Sequence, residues 1–108
     1  AKAAALRYQD IFGKGNFFLE LQDHGIAEQA QVNQQLLRMH QELGIDLVAT
    51  NDVHYTYEKD AEAHDVLLCL QTGKKLSDEN RMRYEGGQYY VKSEEEMKAL
   101  FSICAGSD

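Results

Sequence analysis

The chain is poor in cysteine, in positive charge and in long apolar runs. Its two cysteines, Cys69 and Cys104, have no C-x-x-C partner, which argues against a zinc knuckle or a disulfide framework. Lys and Arg total 11 against 18 Asp and Glu, a formal charge of −7, so this segment alone is a poor candidate for gripping a nucleic acid. No apolar run reaches membrane-spanning length and no signal peptide opens the chain, so we expect a cytoplasmic protein with no membrane partner.

The sequence also lacks the common catalytic motifs. It has no phosphate-binding glycine loop, no nucleophile elbow and no Cys-His dyad at a familiar spacing, so no catalytic residue is assigned within it. Its 108 residues suit one domain or part of a larger one, and a hydrophobic share of 44% allows a packed core. Residues 1–12 read as the end of a helix without a capping residue, so we expect a fragment that begins inside an element.

The first half of the chain has the pattern of a β-α-β unit. A helix over 3–12 should end at Gly13, and an aromatic-rich strand should follow over 17–22. A longer helix over 27–43 should end at Gly44, and a second strand over 47–50 should pair with the first in parallel. One apolar stripe marks the buried face of the longer helix: Val32, Leu36, Met39 and Leu43.

The second half is less regular. The pattern predicts a helix over 58–72 that ends at Gly73 and buries Cys69 as a free thiol. Residues 82–91 predict a small hairpin around Gly86-Gly87. Ser93 and Glu96 form a capping box that predicts a helix over 94–101. Of the histidines on helices, His40 should be exposed, and His64 should bond to a carbonyl or to solvent.

A candidate metal site follows the second strand. Asp52 and His54 lie two residues apart in the loop after Leu47-Val48-Ala49-Thr50, where the chemistry of an α/β fold is usually found. A carboxylate with a neutral imidazole suits zinc or manganese, whereas sites made only of carboxylates favour magnesium. The simpler interpretation is that Asp52 caps a turn and that His54 packs at its edge.

The end of the preceding strand carries Glu20, Gln22 and His24. In a parallel sheet this end should lie beside the Asp52 loop, where the three side chains would orient the metal ligands. For His24, a role in the turn from strand to helix is the favoured alternative.

Five blocks of the sequence resemble the PHP (polymerase and histidinol phosphatase) domain of bacterial DNA polymerase III alpha subunits. They are NFFLELQDHG (16–25), LVATNDVHY (47–55), DAEAHDVLLCLQTG (60–73), NRMRYE (80–85) and the aromatic, lysine, serine and acidic run over 88–97. Their order is consistent over nearly the whole chain, and only 102–108 departs from it.

The resemblance implies an α/β fold, namely the C-terminal part of a distorted β/α barrel of seven strands with parallel strands and flanking helices. Residues 1–101 would belong to that domain, and 102–108 would be a disordered tail. Asp52 and His54 match the last ligand motif of a Zn²⁺ or Mn²⁺ cluster whose other ligands would precede Ala1.

The resemblance further implies a role in DNA replication, within a DNA-directed DNA polymerase that has a metal-dependent phosphoesterase or 3′–5′ exonuclease site. The partners would be the other polymerase domains, replisome subunits and, through the parent protein, DNA. Mg²⁺ would serve the polymerase site outside this chain.

Two alternatives remain open: a PHP domain that only braces the polymerase, and a free-standing phosphoesterase. We expect the isolated fragment to be inactive, because a site that lacks most of its ligands binds metal weakly. An opened barrel leaves a strand edge and an apolar face uncovered, so we also expect a non-native dimer, strand swapping or marginal stability.

Overall fold

A computed structural model describes residues 1–102, which divide into two units. The first unit is Ala1–Thr50, and the second begins at Asn51. Cys104 and the predicted tail, apart from Ser102, lie outside the described residues.

The first unit consists of one helix followed by a β-α-β arrangement. Helix α1 spans Lys2–Phe12 and ends at Gly13, as predicted. Strand β1 (Leu19–Leu21), helix α2 (Ala27–Leu43) and strand β2 (Leu47–Ala49) follow in order. The two strands pair in parallel, which confirms the predicted topology.

Both strands are shorter than their sequence patterns predict, at three residues each. Leu19 pairs with Leu47 and Leu21 with Ala49, and the backbone N–H of Thr50 donates to the Leu21 carbonyl at 3.0 Å. The first bond of the ladder runs from the Leu19 N–H to the Asp46 carbonyl at 2.9 Å, and Phe17 and Phe18 precede it. Alternation along β1 is as expected, with Leu19 and Leu21 buried and Glu20 exposed between them.

The core of the first unit lies between α1, α2 and the sheet. Its buried members are Ala5, Leu19, Met39 and Ile45, and Ile45 is 1% exposed. Leu36 and Leu43 of the predicted α2 stripe pack against this cluster. Val32 was wrongly predicted to join it. It is 55% exposed, because it lies one turn nearer the start of α2, where it lines an open cleft together with polar residues of β1 and α2.

The end of α2 explains a second wrong prediction. Gly44 adopts a left-handed conformation at φ 69°, so the chain reverses and brings the Ile45 carbonyl back toward the helix. The Nδ1 atom of His40 lies 2.6 Å from that carbonyl oxygen, and the ring is half-buried rather than exposed.

The second unit has two helices joined by irregular chain. A 3₁₀ turn over Glu58–Asp60 leads into helix α3 (Ala61–Thr72), which ends at a left-handed Gly73. Cys69 is a buried free thiol on α3, as predicted. Helix α4 spans Glu94–Leu100.

The predicted hairpin over 82–91 does not form. Gly86 and Gly87 both have positive φ, as a tight turn requires, but the segment after them pairs elsewhere. Tyr90 forms an isolated parallel bridge with Tyr55, and the N–H of Val91 donates to the Thr56 carbonyl at 3.2 Å. The backbone of this segment is satisfied by the loop that carries His54, which leaves it unavailable to residues 82–85.

Within residues 1–102 the only sheet is this two-stranded one, so the seven-stranded barrel stays a prediction. None of the helices described is long and apolar enough to cross a membrane.

The capping box of α4 gives a test of local stability. The Ser93 Oγ accepts from the Glu96 N–H at 3.1 Å, and the Glu96 carboxylate accepts from the Ser93 N–H at 3.2 Å. We expect Ser93→Ala to lower the free energy of unfolding by about 1 kcal/mol, because the first turn of the helix loses its acceptor. Urea denaturation measures this loss. Ser77→Ala, at an exposed turn residue, is the matched control, and equal losses in the two variants would contradict the capping role.

Candidate functional site

The loop after β2 is tied down by its buried asparagine. Asn51 is 6% exposed, and its Nδ2 donates to the carbonyls of Gln88 and Tyr90, both at 2.8 Å. The N–H of His54 donates to the Tyr89 carbonyl at 2.8 Å. The loop is therefore held against the 88–90 segment at both of its ends, although it contains no helix or strand.

Asp52 adopts an unusual backbone conformation. With φ of 46° it is the one non-glycine residue of the described chain in the left-handed region. Aspartate tolerates this region better than most residues and adopts it in turns, but positive φ is uncommon outside glycine, and such conformations cluster at functional sites. The side chain of Asp52 is exposed, as a metal ligand open to outside groups would be.

The turn at Asp52 fixes the proton arrangement of His54. The Asp52 carbonyl oxygen lies 2.7 Å from the His54 Nδ1. Because a carbonyl oxygen can only accept, Nδ1 must carry the proton, and the Nε2 of the neutral ring keeps its lone pair. This is the arrangement that metal-binding histidines usually show, with one nitrogen donating to a carbonyl and the other free for the ion.

Three aromatic rings surround His54, and we call the four together the His54 cluster. Tyr84 lies closest, with ring centroids 4.4 Å apart at 65°. His64 and Tyr89 lie at 5.7 and 5.8 Å. Tyr84 also contacts His64 at 5.1 Å and Tyr89 at 5.0 Å, so it touches every other ring of the cluster, as His54 does.

A cleft of about 280 Å³ opens beside this cluster. It is lined by His54, Tyr55, Asp60, Ala63, His64 and Leu67. His64 contributes its ring to the cleft and to the cluster, which the sequence pattern did not predict.

A partly buried ion pair attaches the chain after α3 to that helix. Both terminal nitrogens of Arg81 donate to the Asp65 carboxylate, at 2.6 and 2.9 Å, and the arginine side chain is 1% exposed. The hydrogen bond from Arg81 lowers the pKa of Asp65, so the carboxylate stays ionised at neutral pH.

The polar side chains at the end of β1 form a separate network in the first unit. The Thr50 hydroxyl donates to Glu20 Oε1 at 2.6 Å and accepts from Gln22 Nε2 at 3.0 Å.

His24 is buried, with 5% of its surface exposed. Its backbone N–H donates to Gln29 Oε1, and its Nδ1 lies 3.0 Å from Gln29 Nε2. The N–H of Gly25 donates to Asp23 Oδ1 in the turn that leads to α2. The ligand-orienting role of Glu20, Gln22 and His24 stays a prediction.

Asp52 and His54 would supply only part of a metal site. Among residues 1–102, no three His, Cys, Asp or Glu side chains are placed to hold one ion. A complete centre would need donors from outside the described residues.

Sequence reasoning did not connect Tyr84, Tyr89 and His64 with His54. The sequence pattern predicts a hairpin for Tyr84 and Tyr89, and a bond to a carbonyl or to solvent for His64. The available signal was only that His64 follows His54 by ten residues on the next helix, which periodicity alone cannot translate into contact.

Comparison with known proteins finds similarity to DNA polymerase III alpha subunits of several bacteria. The chain is 51% identical to DNA polymerase III subunit alpha of Saccharopolyspora erythraea over 98 residues, 49% to that of Deinococcus radiodurans over 103, and 45% to that of Campylobacter jejuni over 102. These matches cover 91%, 95% and 94% of the chain. The chain spans only 8% of the length of each of these relatives, and no protein-family model matches it. It is thus homologous to one short segment of these alpha subunits.

The Asp65–Arg81 pair predicts a pH-dependent contribution to stability. Because the pKa of Asp65 is lowered in the folded state, the contribution is complete above the ordinary aspartate pKa of about 3.9 and is lost as the pH falls through the lower folded value. We expect the gap in free energy of unfolding between the wild type and Asp65→Asn to be constant from about pH 7 to 5 and to shrink below about pH 4. Denaturant titrations across this range measure it.

Asp46→Asn, at an exposed carboxylate of the first unit, is the matched control and should show no comparable gap. A gap for Asp65→Asn that does not change with pH would contradict the pairing.

Proposed function

We propose that this chain is the C-terminal part of a PHP domain in the alpha subunit of a bacterial replicative DNA polymerase, and that Asp52 and His54 are metal ligands of its phosphoesterase or 3′–5′ exonuclease site. The observation that carries the assignment is the 45–51% identity to polymerase III alpha subunits over 91–95% of the chain. The polymerase activity itself belongs to parts of the protein outside this segment.

The donor chemistry of the loop supports the metal site. The His54 residue is exposed, and because its Nδ1 is held by the Asp52 carbonyl, Nε2 is the ring nitrogen left to bind an ion. The Asp52 carboxylate offers a hard oxygen, and the mixed pair suits Zn²⁺ or Mn²⁺. When bound, such ions would supply an activated water molecule and neutralise charge on the phosphate oxygens.

This chain's own contribution is to hold these two donors. The left-handed turn at Asp52 presents the carbonyl to His54, and the Asn51 bonds hold the turn in place. Since two donors bind metal weakly, we expect no catalysis from the segment alone.

The full-length alpha subunit that contains this chain provides the test. We expect the purified protein to carry zinc or manganese. Asp52→Asn and His54→Ala should each lower both the bound metal and the rate of 3′–5′ cleavage by about ten-fold or more, because even the loss of a group that supports a ligand has an effect of about this size. Asp52→Asn is informative because asparagine tolerates the left-handed conformation and removes only the charge. Metal analysis and cleavage of a labelled primer measure the two effects.

Asp46→Asn is the control for removal of an exposed carboxylate, and primer extension on matched DNA should persist in all variants. Full-length protein without zinc or manganese, together with unchanged cleavage in Asp52→Asn, would leave a PHP domain that braces the polymerase without catalysis. Sequencing of the downstream gene tests the free-standing alternative, which the motifs of a polymerase palm domain would exclude.

A further inference from the structure

We propose that Tyr84 is a positioning residue that fixes the ring plane of His54, and that the Asp65–Arg81 ion pair keeps Tyr84 in place. The inference rests on the proposed function, because it concerns the imidazole that would bind the metal. Tyr84 lies 30 positions after His54 in the sequence, outside any ligand motif.

His54 needs support beyond its own loop. Its single hydrogen bond, from Nδ1 to the Asp52 carbonyl, restricts rotation about the Cβ–Cγ bond, but coupled changes of χ1 and χ2 still let the ring of this exposed residue pivot. A pivot would swing the Nε2 away from a bound ion. Metal ligands lose affinity when their orientation is not fixed by neighbouring groups.

Tyr84 is placed to block this pivot. Its ring lies edge-on to His54, with the centroids 4.4 Å apart, and is the nearest ring to that imidazole. Tyr84 is itself wedged between His64 and Tyr89, which approach it at interplanar angles of 80° and 68°. Edge-to-face contacts of this kind are directional, so the Tyr84 ring constrains the angle of its neighbour as well as its distance.

The segment that carries Tyr84 has no regular structure of its own. Residues 74–84 form turns and irregular chain between α3 and the glycine pair. The bidentate bond from Arg81 to Asp65 attaches this segment to α3, three residues before Tyr84. Asp65 is adjacent to His64 on α3, so one helix fixes both the anchor of the segment and a ring of the His54 cluster.

Mn²⁺ binding by the full-length alpha subunit tests the proposal. Titration with Mn²⁺ alone, followed by electron paramagnetic resonance, gives the affinity of each Mn²⁺ site of the protein. The site at His54 is identified as the one that His54→Ala removes. We expect Tyr84→Ala to weaken this site roughly ten-fold, whereas Tyr84→Phe should bind as the wild type does, because the ring and not the hydroxyl supports His54. Arg81→Lys keeps the charge but loses the bidentate geometry, so it should weaken the site in the same direction.

Tyr57→Ala is the matched control, since this ring is 62% exposed and lies outside the cluster. Thermal denaturation of every variant shows whether the fold persists, and Tyr84→Leu supplies the comparison if Tyr84→Ala unfolds. If His54→Ala removes a site but neither Tyr84→Ala nor Tyr84→Leu weakens it more than Tyr57→Ala does, the positioning role is wrong and the metal site stands. If His54→Ala removes neither an Mn²⁺ site nor bound zinc from the full-length protein, the proposed function fails and this inference fails with it.

Discussion

The hydrogen bond between the His54 ring and the Asp52 carbonyl is the interaction on which the candidate site depends. It requires the chain to reverse within two residues, which the left-handed conformation of Asp52 achieves. The same bond decides which ring nitrogen carries the proton and therefore which one can bind an ion. Asp52, a residue type that tolerates positive φ, and His54 thus form one structural unit. This holds whether or not the Asp52 carboxylate is itself a metal ligand.

Order in the second unit comes mainly from side chains that bond to backbone or to each other. Asn51 satisfies two carbonyls of the 88–90 segment, and Arg81 joins the irregular chain to α3 through Asp65. Buried polar groups need partners with good geometry, because a buried donor left unpaired is costly, and the Asn51 Nδ2 and both terminal nitrogens of Arg81 have them, whereas the Arg81 Nε has none among the described residues. They therefore specify one conformation where a hydrophobic contact would tolerate several. A loop held by such bonds can present ligands at fixed positions although it is not part of a regular strand.

The parts of the fold that sequence predicted are those whose causes are local. Gly44 and Gly73 end helices where they were expected to, because left-handed termini favour glycine, and Ser93 with Glu96 marks the start of α4. The predictions that were wrong concern segments whose conformation depends on a partner far away in the sequence. Gly86-Gly87 has the local chemistry of a hairpin, but the following residues bond to the loop of Thr56 instead. Asp52 and His54 could be selected from their spacing because they lie in one loop. The contact of Tyr84 with His54 could not, because it depends on a bond between Arg81 and Asp65, which are 16 residues apart.

The charge of the chain limits what this segment can contribute to a phosphoester reaction. With a formal charge of −7, its field opposes the approach of a nucleic-acid backbone. Several of its cations are already engaged: Arg81 with Asp65, Lys98 with Glu94, and Lys92 with the Gln88 carbonyl and the face of Tyr90. An acidic surface does, however, suit the capture of divalent cations, whose charge would offset that of the carboxylates and of the phosphate together. Under the proposed function, this segment would therefore serve the metal, and the grip on DNA would come from the rest of the polymerase.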